Sequence, residues 1–184
     1  MRLFFALRLP EDVRERLRLA LEAARRAAPE DVGFTRVEQL HFTLAFLGET
    51  ERVEEACAAG EGVREQAGFE LAIAGSGAFP SPARPRVLWL GVTEGGPELV
   101  AVADRLCAGL RERGFSLEDR PFRPHLTVGR VRPRGERDAH RALGALPAGE
   151  LARFDVGGIS LMRSELGKGG AKHFVVKEFA LKRT

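Results

Sequence analysis

The chain is poor in sulfur and has no long apolar runs. It has two cysteines, Cys57 and Cys107, in 184 residues. Both fall in alanine- and leucine-rich helical patterns, where a free thiol serves as a small buried apolar group. A disulfide would be unusual in a reducing compartment, and a two-cysteine metal site would want closer spacing. No apolar stretch approaches the roughly 18 residues of a membrane span. The opening Met1-Arg2-Leu3-Phe4-Phe5-Ala6-Leu7 is too short for a signal peptide and runs directly into Arg8 and Pro10. A cytoplasmic location with no membrane partner is therefore expected. Low-complexity tracts are missing too, so the length suits one compact domain or two small lobes on a shared core. Net charge is only +3. The basic residues are mostly arginine, whose planar fork of donors suits phosphate, although a small positive excess does not by itself demand an anionic ligand.

Periodicity gives the elements. Residues 2–9 read as a strand, and Pro10 with Glu11 and Asp12 opens a helix that runs to about residue 28. Residues 40–47 form a second strand closed by Gly48. A helix fits 50–67, weakened by Gly60 and Gly62. Strands are expected at 69–75 and 86–93, joined by a loop around Pro80-Ser81-Pro82. The clearest helix spans 97–113 and ends at Gly114. A strand over 124–131, a short helix over 135–146 and a hairpin near 153–163 and 173–182 follow, with the turn Gly167-Lys168-Gly169-Gly170. Strand pairs close in sequence favour antiparallel sheet and an α+β class; a parallel α/β sheet competes with it.

One pattern occurs twice, half a chain apart: His41-Phe42-Thr43-Leu44 and His125-Leu126-Thr127-Val128. On a strand, positions i and i+2 share a face, so each histidine points with its threonine while the apolar residues face the other layer. That suits phosphate chemistry. The threonine hydroxyl can donate to a phosphoryl oxygen, and imidazole gives or takes a proton near neutral pH. Two such strands facing each other would place one imidazole on each side of a phosphorus atom. One would deprotonate water and the other would protonate the departing oxygen. No metal is then required, and the histidines have no run of carboxylates or close-spaced partners beside them to build a metal site. A single His-x-Thr would mean little; two copies use half of the four histidines present.

The segment Leu40-His41-Phe42-Thr43-Leu44-Ala45-Phe46-Leu47-Gly48 resembles the first signature of the two-histidine (2H) phosphoesterases. Arg123-Pro124-His125-Leu126-Thr127-Val128-Gly129-Arg130-Val131 resembles the second. Arg2–Pro10 and Leu161–Leu166 resemble the start and the C-terminal hairpin of its bacterial and archaeal RNA 2′,3′-cyclic phosphodiesterase (2′-5′ RNA ligase) branch. The resemblance covers nearly the whole chain. It implies an α+β fold over 1–184: one bilobal unit of two similar lobes, each an antiparallel sheet with flanking helices. The lobes are related by a pseudo-two-fold axis, with one motif strand each along a central cleft. It implies cofactor-free hydrolysis of RNA 2′,3′-cyclic phosphate ends to 2′-phosphates, with weaker 2′-5′ ligation. His41 and His125 are then catalytic, with His41 the acid at O3′ and His125 the base. Thr43, Thr127 and Arg130 bind the substrate. RNA, tRNA fragments among it, is the expected partner, and a monomer the expected state.

Arg130 stands at i+5 from His125, so simple alternation would turn it away unless a bulge near Gly129 redirects it. His173 occupies a hairpin position where the resemblance leads us to expect tyrosine, which leaves nucleotide preference open. His140 is expected on a surface helix, and Phe5, Phe42 and Trp89 in the core. Arg84, Arg86, Arg120 and Arg123 are expected as solvated loop residues that could steer RNA. Two other readings remain: the same chemistry on a small cyclic nucleotide or an ADP-ribose cyclic phosphate, and a non-catalytic RNA-binding module. The second gives no use to two matched imidazoles.

Overall fold

The computed structural model describes residues 1–167 and 170–183. Its elements, in chain order, are β1 (Arg2–Arg8), α1 (Glu11–Ala27), β2 (Val32–Phe34), β3 (His41–Glu49), α2 (Val53–Glu61), β4 (Phe69–Ser81), β5 (Arg84–Glu94), α3 (Gly96–Glu112), β6 (Leu126–Val131), α4 (Glu136–Gly144), β7 (Glu150–Val156), β8 (Gly158–Gly167) and β9 (Gly170–Ala180). The strands pair antiparallel into two sheets, of order β3-β1-β8-β9 and β2-β6-β5-β4-β7. This is an α+β fold of two lobes, and the parallel alternative does not occur among the described residues. None of the described helices is long and apolar enough to cross a membrane.

The lobes are not contiguous pieces of chain. Helices α2 and α3 pack with the β1-containing sheet, whereas α1 and α4 pack with the β6-containing sheet. The amphipathic stripe of α1 (Val13, Leu17, Leu21, Ala24) is fully buried, as is the stripe of α3 (Leu99, Val102, Ala103, Leu106, Leu110). One continuous apolar core runs under both sheets and takes in Leu3, Phe5, Leu7, Phe42 and Leu44 from one, and Leu88, Leu90, Leu126 and Val128 from the other. Alternation then forces the remaining residues of these strands onto the opposite faces. There a small separate apolar cluster forms from Phe4, Ala6 and Met162.

Three expectations about the elements need correction, and one strand was missed. The Pro80 region is no open loop: β4 and β5 continue through it as one long hairpin, with Pro80 paired to Pro85 and Ser81 to Arg84. The run near 153–163 is two strands, because the chain leaves one sheet after Val156 and enters the other at Gly158. The helix expected over 50–67 is α-helical only over α2 and ends in a 3-10 turn, Gly62–Glu65. Gly60 stays inside α2 because the Phe179 ring lies against it: a Cβ there would fall 2.6 Å from that ring. The three-residue strand β2 was not anticipated, being too short to show a period. The expected turn at 167–170 includes Lys168 and Gly169, which lie outside the described residues.

Candidate active site

The two motif strands come together. β3 is the edge strand of its sheet, β6 lies next to the edge of the other, and the two pack against each other between the sheets. Each histidine is held the same way. His41 Nδ1 is 2.7 Å from the Gln39 carbonyl oxygen, and His125 Nδ1 is 2.7 Å from the Arg123 carbonyl oxygen. A carbonyl can only accept, so in both rings the proton sits on Nδ1 when the imidazole is neutral. Nε2 is then left as the free base. His125 directly precedes β6 rather than lying within it.

Register places the rest. In β3, Thr43 pairs with Ala6 and Ala45 with Phe5, so Leu44 is an extra residue. In β6, Thr127 pairs with Trp89 and Gly129 with Leu88, so Val128 is an extra residue. The fourth residue of each motif is thus a β-bulge, which resets the alternation. After the reset, Phe46 pairs with Phe4 and Arg130 with Val87, on the same faces as Thr43 and Thr127 respectively. This resolves the geometric conflict over Arg130. The bulge turns it back to the His125–Thr127 face, where it is exposed and pairs with no described carboxylate.

Aromatic rings floor both halves. The Phe4 ring lies 5.1 Å from His41, 5.0 Å from His173 and 5.6 Å from the exposed Phe46. On the β6 side, the Phe79 ring lies 5.0 Å from His125 and 5.4 Å from Trp89. Trp89 was expected in the core; it is only half-buried and shares the face of Thr127, because it is out of phase with Leu88 and Leu90. Phe5 and Phe42 are fully buried, as expected, and His140 is exposed on α4. Arg84, Arg86, Arg120 and Arg123 are exposed; Arg86 pairs with Glu136 and Arg120 with Glu118.

His173 is the group that sequence reasoning underweighted. β9, at the edge of the sheet opposite β3, sets the His173 ring edge-on to His41, centroids 5.3 Å apart. Gln39 latches this arrangement: its carbonyl holds His41, and its side-chain amide donates to the Ala171 carbonyl on β9. Burial disfavours a charged imidazole here. It pushes His41 down from 6.5 to about 4, against the Gln39 carbonyl, which favours the proton, and with help from His173. His173 is also lowered, by burial first and then by the Arg2 charge. No spacing rule links residues 41 and 173; the one signal was the departure from tyrosine. Among the described residues no group of three or more His, Cys, Asp or Glu converges as a metal-ligand set.

Two interlocked antiparallel lobes carrying a matched histidine–threonine pair on facing strands define a two-histidine phosphoesterase architecture. The chain belongs to the 2′-5′ RNA ligase superfamily, whose sequence pattern it matches over residues 9–168. It is 35% identical to the RNA 2′,3′-cyclic phosphodiesterase of Methanothermobacter thermautotrophicus, over 98% of this chain and 99% of the relative. It is 32% identical to the enzyme of the same name from Escherichia coli, over 98% and 96%. Among solved structures, TT0787 of Thermus thermophilus superposes with a TM-score of 0.78 at 32% identity, covering 100% of this chain and 99% of that one. E. coli LigT complexed with 3′-AMP superposes with a TM-score of 0.76 at 28% identity, covering 98% and 97%.

Proposed function

We propose that this protein is an RNA 2′,3′-cyclic phosphodiesterase that opens the ring to a 2′-phosphate with His41 and His125 as its proton-transfer pair. The observation that carries the reading is the duplicated holding of the two imidazoles: the same carbonyl anchor on Nδ1, with His41 on β3 and His125 directly before β6, two strands that pack against each other. Water attacks phosphorus opposite O3′; one Nε2 takes the water proton and the other delivers a proton to O3′ as the P–O3′ bond breaks. Thr43 and Thr127 donate to the phosphoryl oxygens, and Arg130 adds positive charge from the His125 side.

The resemblance gives His41 the acid role. Burial sets a condition on it: the free site holds His41 neutral, so the anionic cyclic phosphate must restore its proton on binding. A cyclic mononucleotide is the second reading, favoured by the fact that E. coli LigT is solved in complex with a mononucleotide, the acyclic 3′-AMP.

The direct test is product analysis on an RNA ending in a 2′,3′-cyclic phosphate, with and without chelator. A 2′-phosphate product formed at an undiminished rate after chelation is expected. A 3′-phosphate product, or turnover restored only by a divalent ion, would overturn the mechanism.

A further inference from the structure

A cavity of about 290 Å³ opens behind His41, between the β8–β9 hairpin and the start of α1. It is continuous with the proposed catalytic site, since His41 and His173 form one wall. Its other walls carry three cations, Arg8, Arg14 and Lys172, against one carboxylate, Glu38. Arg8 is engaged by Glu178 at 2.8 Å. The side chains of Arg14 and Lys172 take no hydrogen-bond or ion-pair partner among the described residues. Arg14 is half-buried, its stem packed while its guanidinium is left without a protein partner. The three cations come from three separate elements, β1, α1 and β9, and meet at one hollow next to the reacting position.

We propose that this cavity is a second phosphate subsite, which receives the phosphodiester on the 5′ side of the terminal ribose and so selects oligonucleotide ends over mononucleotides. The proposal rests on the cyclic phosphodiesterase reading. With O3′ beside His41, the terminal ribose lies on the His41 side of phosphorus, and the chain leading 5′ from it runs toward the hairpin. Arg14 and Lys172 then meet the upstream phosphate as charge-assisted donors, and the apolar residues Leu9 and Phe174 line the sugar's path. A cyclic mononucleotide has no group to place there.

The experiment compares kcat/KM for a 2′,3′-cyclic mononucleotide, a trinucleotide with the same terminal cyclic phosphate, and that trinucleotide with a neutral methylphosphonate at its last internucleotide linkage. Wild type should prefer the trinucleotide by about tenfold or more, the effect of one or two charge-assisted hydrogen bonds. The neutral linkage should bring it back toward the mononucleotide value. In the Arg14→Ala/Lys172→Ala variant the preference should shrink to about twofold, and the neutral linkage should make no further difference. Equal rates on all three substrates in wild type, or equal losses on all three in the variant, would overturn the subsite while leaving the phosphodiesterase reading standing. No turnover of any substrate would remove the phosphodiesterase reading itself. The methylphosphonate arm leaves the protein untouched, so a misfolded variant cannot imitate the expected result.

Discussion

His41 and His125 are held by the same bond but sit in different surroundings. His41 is enclosed by Phe4 and His173, whereas His125 contacts Phe79 on a face that also carries the exposed Arg130. Replacing either by alanine should cost on the order of 10²–10⁴-fold in turnover, the range for a lost general acid or base. A substrate whose 3′ leaving group needs little protonation should largely rescue His41→Ala and not His125→Ala. The opposite rescue would reverse the roles, and full activity in either variant would remove the pair from the mechanism. Arg130 makes a separate prediction. Arg130→Ala should lower kcat/KM on RNA by roughly tenfold or more, the value of a charge-assisted contact to phosphate. Unchanged kinetics would mean that the bulge merely exposes the side chain.

At the scale of elements, the bulges at Leu44 and Val128 do the positioning. Each lets the strand bury its apolar residues in the common core while histidine, threonine and residue i+5 share the cleft face. The floor beneath His125 depends on Gly77. A Cβ there would lie 2.2 Å from the Trp89 ring, so Trp89 lies flat across β4 because that position has no side chain. Gly77→Ala must displace Trp89, and Phe79 with it. We expect a loss of about 1–3 kcal/mol of stability from overpacking, read from chemical denaturation, together with a fall in kcat. A variant of wild-type stability and activity would show that the Trp89 ring has freedom to move. The element scale also shows where sequence reading fell short. The β4–β5 hairpin was hidden because Pro80, Pro82 and Pro85 read as loop signals, yet a hairpin end tolerates proline where no ladder hydrogen bond is required. The β7–β8 boundary was hidden because only Gly157 separates the two strands, and the change of sheet marks it.

For the whole molecule, folding and proton binding are linked through the buried imidazole. The unfolded chain protonates His41 near 6.5 and the folded chain only near 4. The unfolded state therefore binds the proton more readily below pH 6.5. Stability from this source is fully present above that pH and is lost as pH falls toward 4, to a limit of ~3 kcal/mol at about 1.4 kcal/mol per pH unit. His173, also lowered, acts in the same direction. Denaturation midpoints at pH 7 and pH 4.5 should therefore fall less in His41→Gln than in wild type. Equal falls would mean that the imidazole is open to water.

The sequence by itself determined the main helices and the two histidine–threonine segments, because these follow from local periodicity and a short repeated motif; it favoured an α+β class but left a parallel sheet open, and the strand order decided between them. The sequence also singled out Arg130 and stated the condition, a bulge, under which that residue could serve. Only the tertiary structure decided that the lobes interlock, with α1 and α3 each packing on the sheet that its preceding strand does not join. It alone brought His173, 132 residues beyond His41 in the chain, against that ring, through a hairpin latched by Gln39. Periodicity states which face a residue takes within its own element. Which faces meet is settled by sheet order and register, and these depend on packing between segments distant in the chain.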